Sequence, residues 1–170
     1  YMGRMQKLTY WTKLVEISMK EIKDINNNIN TMFKEDNGTN FLTMAYEEVL
    51  APVAFTAKKK YFGIPHEKDI NFFPKEIFIK GLEVKKRGVS GILRKIFNNI
   101  MWTACDPNNV YTLLELVLMK IDEIYTTKWE PEEFVQTAVY RPTKKNLRIN
   151  TFVKNMENRS IIIKPNERFN

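Results

Sequence analysis

The sequence predicts an α+β chain, and three observations carry that expectation. Apolar residues recur at helical spacing over residues 10–33. Three later segments, 41–50, 59–65 and 76–86, are rich in β-favouring residues and bounded by Pro or Gly. After Gly88 the periodicity turns helical again. Helix, then strands, then helices fits a partial α+β lobe followed by a mainly helical one.

The first helix rests on Trp11, Leu14, Val15, Ile22, Ile25, Ile29, Met32 and Phe33, which give it one buried face. Asp36-Asn37-Gly38 ends it, with Gly38 as a left-handed cap. "FLTMAYEEVL" over residues 41–50 is predicted as the first strand, stopped by Pro52, which lacks a ladder donor. Residues 59–65 are the second strand. Residues 76–86 are the third, with Gly81 a bulge or a point of close backbone approach. Ser90 is predicted to cap a helix carrying Ile92, Leu93, Ile96, Phe97 and Ile100. Asp106-Pro107 is predicted to open the next, through Leu113, Leu114, Val117, Leu118, Ile121 and Tyr125. Glu130-Pro131-Glu132-Glu133 starts a short helix and residues 151–158 form another. No internal repeat or low-complexity linker is present.

Composition narrows the function classes. Hydrophobic residues make up 44% and charged ones 28%, so the chain folds rather than staying disordered. No apolar run approaches the ~20 residues that cross a bilayer. With no basic-then-apolar leader, a soluble intracellular protein is expected. Two glycosylation patterns, at Asn37 and Asn158, are set aside on the same ground. Cys105 and His66 are each the sole residue of their kind, which excludes an internal disulfide and a zinc site of about four such ligands. Cys105 is expected in the core and His66 at the surface or in a turn. No nucleophilic triad and no glycine-rich phosphate loop is present. Glu47 and Glu48, as strand neighbours, point to opposite faces and cannot clamp one metal. The chain begins at Tyr1 and stops at Arg168-Phe169-Asn170, in what reads as the start of an ordered segment, so a piece of a larger protein is expected.

Charge is the most specific signal. The net formal charge is +7, and residues 58–95 alone hold 11 Lys and Arg against 4 Asp and Glu. The rest of the chain is therefore close to neutral. One basic segment on a neutral body reads as a docking face for phosphates, against the plainer reading of a solvated lysine-rich loop. Its core is "KKKYFG", residues 58–63. On a strand, Lys59 and Tyr61 share one face and Lys58 and Lys60 the other. A Lys beside a Tyr suits a nucleic-acid groove; an edge strand protected by lysines is the alternative. Lys80-Gly81 and Lys86-Arg87 add a close-approach glycine and further phosphate contacts.

"KKKYFG" followed by "KGLEVKKRG" resembles the paired C-terminal palm motifs of family B DNA polymerases: Lys-Lys-x-Tyr-x-Gly, then Lys-Gly-x-Glu/Asp-x-x-Arg/Lys-Arg. The flanks "WTKLVEISMKEI" and "FLTMAYEEVLAPVAF" are similar to those enzymes in large cytoplasmic DNA viruses. The likeness covers residues 10–87 and continues through "FVQTAVYRPTKKN" and "KPNERF". It implies that residues 1–88 are the C-terminal part of a palm and residues 89–170 an incomplete thumb. By that resemblance Lys59 and Tyr61 contact the minor groove and backbone of the newly paired primer terminus, supported by Lys58. Lys80, Gly81, Lys86 and Arg87 hold primer-strand phosphates. The implied partners are primer–template duplex DNA and, in the parent enzyme, a deoxynucleoside triphosphate, with no membrane. The family's catalytic aspartates and its nucleotide-binding fingers helix are absent, so Mg2+ belongs to the parent enzyme and the piece alone should be inactive. Glu47 stands where the family often has an acid, a position that a strand Glu paired with a Lys explains equally well. The resemblance places the protein in the cytoplasm of a virus-infected cell. A stand-alone, non-catalytic nucleic-acid-binding domain is the alternative. A membrane-surface module fits less well, because the basic segment lacks an amphipathic helix.

Overall fold

The computed structural model describes residues 3–142 and 147–169. The chain runs α1 (Arg4–Asn37), β1 (Val49–Ala57), β2 (Lys60–His66), β3 (Phe78–Lys80), α2 (Gly91–Cys105), α3 (Leu113–Thr126), β4 (Ala138–Val139), α4 (Leu147–Glu157) and β5 (Arg168–Phe169). Short 3-10 turns lie at Glu83–Lys85 and Pro131–Phe134. Helices and two small antiparallel sheets make the fold α+β. It divides into two compact units, Tyr1–Leu82 with Ile100–Val117, and Glu83–Asn99 with Leu118–Asn170. The division falls within α2 and within α3.

In the first unit, α1 is longer than its apolar stripe predicts, because good helix formers extend it on both sides. It ends at Gly38, whose φ of 66° is left-handed and whose N–H donates to the Lys34 carbonyl at 2.9 Å. Val15 and Met19 pack against Ala51, with Tyr46, Val49, Ile70 and Phe72 around them. Burying two such side chains contributes roughly 2 kcal/mol each.

Residues 41–48 are not the strand expected. The Asn30 side chain satisfies both backbone groups of Met44, donating to its carbonyl at 2.9 Å and accepting from its N–H at 2.5 Å. Backbone groups held by a side chain do not enter a ladder. The strand forms later instead and runs through Pro52. β1 tolerates this proline because it is an edge strand in the order β1-β2-β3, and because its register slips by one residue between Leu50 and Val53. β3 is also shorter than expected. Gly81, at φ 70°, turns the chain out of the strand, and residues 83–85 coil into a 3-10 turn.

His66 is fully buried, not at the surface or in a turn. Its Nε2–H donates to the Ala51 carbonyl at 2.8 Å, while Nδ1 accepts the Asn71 N–H at 3.1 Å. The Phe72 ring meets it edge-on at 4.8 Å. One donor and one acceptor are satisfied by the neutral imidazole, and burial pushes its pKa below the ordinary value. Cys105 is buried as expected.

Asp106-Pro107 does not open a helix. The Asp106 carboxylate accepts the Asn108 N–H at 2.7 Å and builds a turn. α3 starts at Leu113 behind a capping box. Thr112 Oγ1 accepts the Glu115 N–H at 3.3 Å, and the Glu115 carboxylate accepts the Thr112 N–H at 2.7 Å. The Thr112 N–H and, at 2.8 Å, the Thr112 hydroxyl both donate to the Glu115 carboxylate and hold its pKa below the ordinary value.

In the second unit, the Ser90 carbonyl accepts the first bond of α2, from Arg94 N–H. β4 and β5 pair Ala138 with Phe169 and Val139 with Arg168. This small sheet was not predicted. Phe169 stacks on Phe152 of α4 at 5.1 Å. "FVQTAVYRPTKKN" ends outside the described residues.

Candidate nucleic-acid interface

Lys58 and Lys59 are not strand residues. Ala57 pairs with Lys60, so the two lysines between them form the hairpin turn. Lys59 carries φ 60°. A non-glycine residue there costs about 1 kcal/mol, which the turn's flanking ladder must offset. The expected alternation of Lys59 and Tyr61 on one strand face is therefore replaced by a tip. Both ammonium groups project from an exposed apex, and Tyr61 lies on β2 behind it.

Sheet register then joins the two motifs. Phe55, Tyr61 and Lys80 are direct partners across β1, β2 and β3, and so share one face. Val53, Gly63 and Phe78 form the next row on that face. The opposite face carries Ala54, Phe62 and Ile79, and Phe62 is 2% exposed, so that side is the core. Tyr61 is held from both sides. Phe55 meets its ring at 5.5 Å and Phe78 stacks on it at 6.0 Å. The phenol is half-buried while Lys80 is exposed.

Gly81 is the point of close approach the sequence predicts. A Cβ there would lie 2.2 Å from the Lys59 carbonyl oxygen. The second motif therefore packs its glycine against the backbone of the first. Gly63, which ends "KKKYFG", has an equally physical reason. A Cβ there would lie 2.6 Å from the Pro52 carbonyl oxygen, where β1 bulges.

Lys80 also faces acidic neighbours. Glu48 is half-buried and its pKa is raised, first by burial, then by Glu47 and Glu67, with Lys80 acting in the opposite direction. Glu47 itself is exposed.

Lys86 and Arg87 belong to the second unit. Lys86 is paired with Glu83 at 2.6 Å, and both side chains are exposed. An exposed pair of this kind is worth well under 1 kcal/mol, so a phosphate can displace the Glu. The guanidinium of Arg94 donates to the carbonyls of Lys86 (2.9 Å), Arg87 (3.0 Å) and Val89 (3.3 Å). It fastens the turn that presents these cations. Sequence reading counted Arg94 in the basic segment and missed this use. Its place in the first turn of α2, behind a basic loop, was the available signal. Phe55 and Phe78 were missed as well, although "VAFTA" alternates as a strand should.

Among the described residues, no group of three or more His, Cys, Asp and Glu side chains could hold a metal ion. Nor is any described helix long and apolar enough to cross a membrane.

A basic hairpin tip is thus backed by an aromatic sheet face. Comparison with known proteins gives the following. The chain is 34% identical over 169 residues, 94% of its length, to the "DNA polymerase beta" of African swine fever virus isolate Pig/Kenya/KEN-50/1950. It is equally similar to that of the Badajoz 1971 Vero-adapted strain. Isolate Pig/Portugal/Lis 60/1960 gives 37% identity over 151 residues, 85% of this chain. The chain spans only 14% of the first two relatives and 12% of the third. No protein-family model matches it.

Proposed function

We propose that the chain is the C-terminal palm part and thumb of a family B DNA polymerase, and that it grips primer–template duplex DNA during nucleotide addition. One observation carries the reading. The motifs that resemble that family's Lys-x-Tyr and Lys-Gly pair are neighbours in space, with Tyr61 opposite Lys80 and Gly81 against the Lys59 backbone. The similarity to viral enzymes named DNA polymerase supports it at the coarser level of polymerase. The name "DNA polymerase beta" does not specify family B, which rests here on the paired motifs.

In this reading residues 1–88 are palm and 89–170 thumb. Lys58, Lys59 and Lys80 meet phosphates as point charges. The Tyr61 hydroxyl addresses the minor-groove acceptors, which occupy similar places in A·T and G·C pairs, so it tests pair shape without reading sequence. Lys86 and Arg87 hold primer-strand phosphates. The parent enzyme supplies the Mg2+ ligands and the deoxynucleoside triphosphate site, and works in the cytoplasm of an infected cell.

The test is Lys59→Ala in the parent polymerase, followed by primer extension and by the melting temperature. Extension and grip on the primer end are expected to fall with the fold intact. Loss of fold with DNA binding spared would refute the role.

A further inference from the structure

We propose that the aromatic face of the three-stranded sheet binds an unpaired nucleotide of single-stranded DNA, with Phe55 as the ring on which the base stacks. The proposal builds on the nucleic-acid reading of the lysines and adds a residue and a ligand state that neither motif assigns.

Phe55 is 74% exposed, whereas Tyr61 beside it and Phe78 in the next row are half-buried. It is nonetheless placed. Tyr61 meets it at 5.5 Å with the rings tilted by 45°, and Phe78 stacks on Tyr61 at 6.0 Å, so the outer ring is backed by two others. Gly63, between Val53 and Phe78 in the adjoining row, adds no side chain to that face.

Charge identifies the occupant. Lys58 and Lys59 at the tip and Lys80, in the row of Phe55 and Tyr61, flank the rings, while Lys60 alternates to the opposite face with Phe62. Residues 49–66 contain no Asp or Glu, nor does β3. Rings flanked by ammonium groups, with Glu48 as an acidic neighbour of Lys80 alone, suit a ligand that is both polyanionic and flat. A nucleic-acid strand is both. Inside a paired duplex stacking hides the base faces and leaves edges and phosphates, with only the terminal pair open at an end. An unpaired base, free to turn its face outward along the strand, is the form that lies on Phe55. At the end of a primer that base is a frayed or mispaired 3′ nucleotide, which would dock here when it leaves the helix.

The test uses the 170-residue chain and three fluorescent probes: a dT12 strand, a blunt hairpin duplex, and the same duplex ending in two unpaired nucleotides. Phe55→Ala is expected to weaken dT12 binding by about 5- to 100-fold, the range that one lost base–aromatic stack gives. Blunt-duplex binding should change by less than about 2-fold, and Phe55→Trp should retain dT12. With 2-aminopurine as the unpaired terminal base, its quenching on binding should disappear in Phe55→Ala. Circular dichroism is expected to be unchanged, since an exposed ring supports little of the core. Equal loss on all three probes, or no loss on dT12 with quenching intact, would overturn the proposal. Lysine variants separate it from the duplex reading. If Lys59→Ala and Lys80→Ala bind the blunt duplex like the native chain, the duplex reading fails. If they lose it while Phe55→Ala loses nothing on dT12, only the stacking inference fails.

Discussion

Replacing Gly81 by alanine tests how the two motifs are joined, and the structure supplies its own controls. Gly81 combines φ 70° with a neighbouring carbonyl oxygen, that of Lys59, 2.2 Å from where a Cβ would be. An ordinary contact begins near 3.4 Å, so the hairpin turn must retreat by roughly 1 Å. Gly38 has a nearly identical φ of 66° with nothing within 4 Å, so Gly38→Ala measures the backbone cost alone, about 1 kcal/mol. Gly63 lacks the positive φ but meets the Pro52 carbonyl at 2.6 Å, so Gly63→Ala measures a backbone clash alone. Gly81→Ala should carry both costs, about 2–4 kcal/mol in total. At ~2–4 °C per kcal/mol for a chain of this size, its melting temperature falls on the order of 10 °C, against ~3 °C for Gly38→Ala. Thermal melts followed by circular dichroism, with urea midpoints, provide the comparison. If Gly81→Ala costs no more than Gly38→Ala, the contact between the motifs does not support the hairpin.

Three further outcomes are expected. The pKa of His66 is lowered on folding, chiefly by burial. The unfolded chain therefore takes up a proton below about pH 6.5 that the folded chain refuses. Stability is whole above that pH and declines as pH falls toward the folded pKa, by up to ~1.4 kcal/mol per unit. Urea midpoints from pH 7.5 to 5 should show the decline and His66→Gln should flatten it; a flat native profile contradicts the neutral, buried ring. Arg94→Lys should fail to hold the Lys86–Val89 turn, because one ammonium cannot span three carbonyls. Amide exchange at residues 86–89 should rise; unchanged protection would show that the guanidinium holds nothing. The Cys105 thiol, pushed up to about 11 by burial, should resist thiol reagents in the native chain and react once urea unfolds it. Rapid native labelling would contradict its buried place.

What was legible in the sequence was local. Helical periodicity and a glycine cap located α1, because residues three and four apart decide a helix without distant help. Gly81 was legible too, since a glycine inside a basic strand has few other reasons to be there. Failures came where a distant group decided. Asn30 took the backbone of Met44 and left residues 41–48 outside the sheet. A register slip on an edge strand made Pro52 acceptable. His66 went inside because Ala51 and Asn71 together satisfied both ring nitrogens. The α3 start was a misreading rather than a distant effect, for Thr112-Leu113-Leu114-Glu115 is a plain capping box. At the candidate interface the exposure of the lysines was readable from their order, but not the turn that holds Lys58 and Lys59. Phe55 was not, because its role depends on which residue β2 sets opposite it.

The salt dependence of duplex binding bears most directly on the claim that this hairpin faces DNA. Each phosphate neutralised contributes about 0.9 to the slope of log K against log salt. The variant carrying Lys58→Ala, Lys59→Ala and Lys80→Ala should bind a primer–template duplex more weakly, with a slope shallower by about 2 to 3 and an unchanged fold. Native affinity and slope in that variant would place the duplex elsewhere and contradict the account.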